Sequence, residues 1–63
     1  MKVGDVIKRL EQDGWFLARQ SGSHKIFKNN EKPELRIVLP DHGKNKEPSP
    51  GVLNDIKKKA GWK

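Results

Sequence analysis

The 63-residue sequence contains no cysteine and no tyrosine, and no apolar run approaches the ~20 residues that a membrane-spanning helix needs. Without cysteine there is no disulfide, no thiolate metal ligand and no cysteine nucleophile. No signal-peptide core is visible, so we expect a soluble, cytoplasmic protein without a membrane partner. Serine-nucleophile signatures, phosphate-cradling glycine loops and carboxylate clusters of the two-metal type are also missing. These absences leave few routes to catalysis.

Acidic residues are outnumbered by basic ones. The chain has 14 lysine and arginine residues against 8 aspartate and glutamate residues, which gives a formal net charge of +6. This excess favours a polyanionic partner, either nucleic acid or an acidic protein, although it also serves simply to keep a small protein soluble. A chain of this length has room for one domain, residues 1–63, with one small core. Any chemistry should therefore take place on its surface.

Both ends of the chain have the pattern of amphipathic helices. Near the N-terminus the apolar residues follow the i, i+3, i+4, i+7 spacing of one helical face, namely Val3, Val6, Ile7 and Leu10. Gly14 can adopt the left-handed conformation that ends this helix near Asp13. Near the C-terminus, Ser49 is a suitable N-cap, Pro50 suits the first helical position, and Gly61 can close the second helix.

Three strands are predicted between the helices, at residues 15–20, 24–28 and 34–39. A turn at residues 21–23 and a polar loop at 29–33 separate them, and Pro40 ends the third strand. Short connections favour an antiparallel meander, and the two helices can cover one of its faces. We therefore expect an α+β two-layer sandwich of order αβββα. Its other sheet face remains open to RNA or to a partner protein.

His24 is the leading candidate for a catalytic residue. It follows the turn Ser21-Gly22-Ser23 directly, and a histidine side chain can accept or donate a proton near neutral pH. Arg19, Lys25 and Lys28 could stabilise a phosphate group, while Gly22 and Ser23 would let an RNA backbone approach. Such a set suits RNA cleavage through the ribose 2′-hydroxyl. The alternative is an exposed turn histidine without a role.

The remaining candidates are less specific. His42 could assist as an acid, orient the substrate or merely cap the end of the third strand, and its spacing from His24 matches no metal-ligand pattern. The run Lys57-Lys58-Lys59 could contact phosphates, but it is also typical of a solvated helix face. Trp15 and Phe16 could stack on bases, although one of them should belong to the core, and Trp62 could fold back onto that core.

Four elements in order resemble the HicA family, also called YcfA-like, over nearly the whole chain. They are the residues Asp13-Gly14-Trp15-Phe16, then Arg19 followed by Gly22-Ser23-His24, then Leu39-Pro40-Asp41-His42, and finally Gly51-Val52-Leu53 with Ala60-Gly61. Val52 stands where the family usually has threonine.

The resemblance implies more than the residue pattern does. It implies a fold like that of double-stranded-RNA-binding domains and a metal-independent endoribonuclease, without a cofactor, that cleaves mRNA and blocks translation. The family's essential histidine corresponds to His24. The implied partner is a HicB-type antitoxin that covers the active surface, and the toxin could form a dimer or a hetero-oligomer with it.

Two other functions remain open from the residues alone. A non-catalytic module with this fold would recognise duplex RNA by its shape. The position of the lysine run, late in the last helix, counts against such a module. Alternatively, the open sheet face could bind an acidic protein, in which case RNA affinity should not fall sharply with added salt.

Overall fold

The computed structural model describes residues 1–62 and has the expected order of two helices and three strands. The elements are α1 (Val3–Gln12), β1 (Trp15–Ser21), β2 (His24–Asn29), β3 (Ile37–Pro40) and α2 (Pro50–Ala60). The strands form one antiparallel sheet in the order β1-β2-β3. The predicted α+β fold of order αβββα is confirmed.

The core lies between the two helices and one face of the sheet. Its fully buried side chains come from both layers: Val3, Val6 and Leu10 of α1, Phe27 of β2, Ile37 and Leu39 of β3, and Ile56 of α2. Trp15 is also buried, whereas Phe16 is 43% exposed, so the core takes only the first of these two aromatic residues. The opposite face of the sheet is left uncovered by the chain's own helices.

The third strand is shorter at its start than predicted. It begins at Ile37 instead of Glu34: the ladder with β2 stops at the Phe27–Ile37 pair, although β2 itself continues to Asn29. Residues 30–36 form turns instead, held by Asn29, whose amide donates to the Asp13 carbonyl at 3.2 Å and whose side-chain oxygen accepts from the Glu31 amide at 2.9 Å. Leu35 still packs against the core from this segment.

The same strand also ends one residue later than predicted. Pro40 pairs with His24, which is possible because β3 is an edge strand and a proline without an amide hydrogen is tolerated there. Because β1 likewise extends to Ser21, the predicted three-residue turn tightens to Gly22-Ser23.

The helix ends are held by different partners. Ser49 caps α2 as predicted, with its hydroxyl accepting from the Val52 amide at 3.4 Å, and Gly61 ends this helix in the left-handed conformation. The start of α1 has no side-chain cap. Instead, the Val3 and Gly4 amides donate to the carbonyls of Lys46 and Lys44 at 2.8 and 3.1 Å. The polar segment after β3 is thereby docked against the first helix.

Candidate functional site

The turn between β1 and β2 places His24 at one end of the sheet. Ser21 and His24 are cross-strand partners, so only Gly22 and Ser23 form the turn. Gly22 has a φ of +57°, and no other atom lies within 4 Å of the position that a β-carbon would take there. His24 is exposed at the first position of β2. The His24 side chain is therefore accessible from solvent, and no side chain crowds the neighbouring Gly22.

The alternation along β2 divides its side chains between the two faces. Phe27 is buried in the core, so Lys25 lies on the core side and His24, Ile26 and Lys28 lie on the open face. Cross-strand partners share a face, which adds Pro40 beside His24 and Val38 beside Ile26. We call this surface the open sheet face: Phe16, Arg19, Ser21, His24, Ile26, Lys28, Val38 and Pro40.

Arg19 reaches the open sheet face through a β-bulge. Strict alternation from Trp15 would put Arg19 on the core side, two residues after Leu17, which pairs with Phe27. The register shifts between Leu17 and Arg19, so that Arg19 pairs with Ile26 instead. One extra residue, Ala18, thus turns an exposed guanidinium toward the face that carries His24.

Lys25 is held away from His24. Its ammonium lies 3.1 Å from a carboxylate oxygen of Asp41, and both side chains are mostly buried. By register it lies opposite Leu39, on the core side of the sheet. The structure therefore brings Arg19 and Lys28 onto the face of His24, but it does not bring Lys25 there.

Asp41 joins the two segments that carry the histidines. Its amide donates to the Ser23 carbonyl at 2.6 Å, and its carboxylate accepts from the Gly43 amide at 3.0 Å and pairs with Lys25. The hydrogen bond from Gly43, followed by that from Lys25, holds the pKa of Asp41 below its ordinary value. Residue-based reasoning missed this role, although the short spacing Asp41-His42-Gly43 is typical of a side chain that caps its own turn.

His42 lines a surface hollow beside the open sheet face. The hollow has a volume of about 220 Å³ and lies where β3 ends and the two helices begin, with Val3, Pro40, His42, Lys46, Pro48 and Val52 among its lining residues. Pro40 also pairs with His24, so the two histidines flank neighbouring strand ends. His24 itself does not line the hollow.

The lysine run does not lie on the open sheet face. Lys57, Lys58 and Lys59 occupy the last turn of α2, in the helical layer, and Lys59 pairs with Asp55 at 3.1 Å. Within residues 1–62, no three histidine, aspartate or glutamate side chains are grouped so that they could hold a metal ion. No helix in the same range is long and apolar enough to cross a membrane.

Fold and site define a class of small α+β protein that has a basic, uncovered sheet face with an exposed histidine at one end. The chain belongs to the HicA toxin family: the model of that family, described as HicA toxin of bacterial toxin–antitoxin, matches residues 3–62. The protein is therefore a toxin of a bacterial toxin–antitoxin pair, and an antitoxin is its implied partner. A comparison with curated proteins gave no match.

Proposed function

We propose that this toxin is an endoribonuclease that cleaves mRNA, with His24 as its catalytic residue. The observation that carries the proposal is the position of His24, exposed beside an unobstructed glycine turn on the face that also presents Arg19 and Lys28. A nuclease without a deep cleft needs such a surface, because its substrate is long and must lie across it. The net charge of +6 favours the same polyanionic substrate.

The reaction that fits these groups uses the ribose 2′-hydroxyl as its nucleophile. His24 accepts the 2′-hydroxyl proton while that oxygen bonds to the adjacent phosphorus, and the bond between phosphorus and the 5′-oxygen breaks. A proton returns to the departing 5′-oxygen, which leaves a 2′,3′-cyclic phosphate and a 5′-hydroxyl. The chemistry therefore consumes no cofactor and proceeds without a metal ion.

The cations on the open sheet face have a role in this reaction. Arg19 can stabilise the charge that develops on the phosphate oxygens, and Lys28 can hold the RNA backbone farther along β2. Gly22 and Ser23 leave space for the phosphate to approach. Lys25 acts indirectly, since its ion pair with Asp41 holds the start of β2 against the segment after β3.

The antitoxin would neutralise the toxin by covering the same face. We infer a HicB-type partner with an acidic and partly apolar surface, because the face combines Arg19 and Lys28 with the exposed side chains of Phe16 and Val38. Covering it would exclude RNA from His24, with the toxin held as part of a hetero-oligomer. Binding would also stabilise a small fold by mass action.

The decisive experiment compares the purified toxin with a His24→Ala variant on a long mRNA in the presence of EDTA. We expect the wild type to cleave and the variant to lose at least ~10²- to 10⁴-fold in rate, the contribution typical of a general acid or base. Both proteins are prepared identically, so that a contaminating nuclease would appear in both. Equal melting temperatures would show that the variant is folded.

Two other results would count against the proposal. Equal cleavage by both proteins would assign the activity to another residue or to a contaminant. If neither protein cleaves but both bind RNA with a steep salt dependence, the toxin is a binding module with no catalytic role for His24.

A further inference from the structure

A second feature adjoins the candidate site and has no role in the chemistry proposed above. It is the hollow of about 220 Å³ between the end of β3 and the starts of the two helices. Its volume is below the ~300–1,000 Å³ of pockets that hold drug-sized ligands, so it suits a single ring system rather than a larger molecule.

The lining combines apolar walls with polar groups, among which Lys46 is a cation. Pro40, Pro48 and Val52 provide apolar surface above the buried Val3, while His42 and Lys46 provide exposed polar groups. The one carboxylate in the lining, that of Glu47, lies 3.5 Å from the amino group of Met1. This combination is complementary to a planar base attached to an anionic phosphate.

The helix amides near the hollow are already engaged. The Val3 amide donates to the Lys46 carbonyl, and the Val52 amide donates to the Ser49 hydroxyl. A ligand would therefore be held by contact with the apolar walls, by stacking on the His42 imidazole and by attraction to Lys46, because a histidine ring is one of the surfaces on which unpaired RNA bases stack.

The hollow lies close to the place where the scissile phosphate would bind beside His24. Pro40 lines the hollow and is also the cross-strand partner of His24, and neighbouring strands are ~4.8 Å apart. A phosphate beside His24 would therefore present an adjoining nucleotide at the mouth of the hollow. Resting on the proposed nuclease function, we propose that the hollow binds one unpaired base of the RNA next to the cleaved bond and gives the toxin a base preference set by how well each base fills the hollow.

The binding test uses the four ribonucleoside monophosphates and does not depend on cleavage. In NMR titrations of the full chain, we expect at least one of them to shift the methyl signals of Val3 and Val52 in a saturable way. Lys46→Glu should weaken this binding by reversing the charge at this position. Lys58→Glu is the matched control, since it makes the same charge change at an exposed position in the last turn of α2.

A filling variant tests the shape of the hollow. The larger side chain of Val52→Phe should fill the hollow and prevent nucleotide binding. Because this variant lacks the Val52 methyl groups, binding is followed through the Val3 methyl signals, which should no longer shift. His42→Ala should lower the affinity for RNA by about 5- to 150-fold, the range expected for the loss of one base stack. A large loss of kcat for His42→Ala would instead make His42 the second catalytic group and count against its role as a wall of the hollow.

Cleavage mapping then links binding to specificity. We expect the wild-type cut sites to share one base at a fixed distance from the broken bond, and we expect Lys46→Glu to reduce that bias while Lys58→Glu retains it. The inference is overturned if no monophosphate shifts the signals of the hollow, or if Val52→Phe impairs only antitoxin binding. If nucleotides bind there but neither wild type nor His24→Ala cleaves RNA, the nuclease proposal fails and the nucleotide site stands.

Discussion

At the scale of single residues, Asp41 holds the segment after β3 against the start of β2. Its backbone amide donates to the Ser23 carbonyl, and its carboxylate contacts the Gly43 amide and the Lys25 ammonium. Since the Gly43 amide and the Lys25 ammonium both favour the ionised carboxylate, the pKa of Asp41 is lowered. Its ionisation is therefore linked to the stability of the fold.

Replacing this carboxylate should cause a loss of stability that depends on pH. The stabilisation by a carboxyl group with a lowered pKa is fully present above its ordinary value of 3.8 and is lost as the pH falls through the lower value of the folded state. Asp41→Asn should therefore be less stable than the wild type at pH 7, and the difference should shrink toward about pH 2. Urea denaturation at both pH values measures this.

The control for this experiment is Asp55→Asn. Its carboxylate pairs with Lys59 at the same 3.1 Å, but its side chain is 51% exposed, so the pair should contribute at most about 0.5 kcal/mol. Equal denaturation midpoints for Asp41→Asn and the wild type at pH 7 would show that the Asp41 contacts do not stabilise the fold.

At the scale of elements, the conformation of the β1–β2 turn decides where His24 lies. Gly22 has a positive φ that an L-residue adopts only at a cost, although there is space around it for a methyl group. Gly51 also has free space, but it lies in the first turn of α2, where alanine is favoured over glycine. The two positions allow the same substitution to be compared in opposite backbone environments.

We expect the two alanine variants to change stability in opposite directions. Gly22→Ala should lower the free energy of unfolding by about 1 kcal/mol because of backbone strain. Gly51→Ala should raise it by about 0.5 kcal/mol. Chemical denaturation measures both, and an unchanged stability for Gly22→Ala would mean that the turn relaxes to a different conformation.

At the scale of the whole molecule, Trp62 connects the end of the chain to the first helix. Its indole Nε1 donates to a carboxylate oxygen of Asp13 at 2.6 Å, and the Arg9 guanidinium lies 4.5 Å from the ring centroid. The ring is only 9% exposed, which confirms that it folds back onto the core. Within residues 1–62 it is one of only nine buried apolar side chains, so it is a large part of the core.

Substitutions of Trp62 should therefore have large effects on stability. Trp62→Phe keeps most of the ring but loses the hydrogen bond to Asp13, which should cost about 1.5–3 kcal/mol. Trp62→Ala should cost about 3–5 kcal/mol, a large part of the stability of a domain of this size. Urea denaturation measures both, with Phe16→Leu as a control that should change stability by less than ~0.5 kcal/mol because the Phe16 side chain is 43% exposed. A loss below ~0.5 kcal/mol for Trp62→Phe would contradict the importance of the Asp13 contact.

Local residue patterns were sufficient for much of the fold and for the leading site residue. The apolar spacing of α1, the Ser49-Pro50 start of α2 and the turn before His24 each depend on residues close together in the chain. For that reason the sequence by itself determined the order of the elements, the amphipathic faces, the fold class and the position of His24 at the start of a strand.

The tertiary structure decided which side chains share a surface. The bulge at Ala18 turns Arg19 to the open sheet face, the ion pair with Asp41 fixes the Lys25 ammonium on the core side, and the turns after β2 set where β3 begins. The hollow also exists only because residues distant in sequence, Val3, Pro40, Pro48 and Val52, meet there. Strand register and packing depend on contacts between distant segments, and a one-residue change in register moves a side chain to the opposite face, so that no local pattern contains this information.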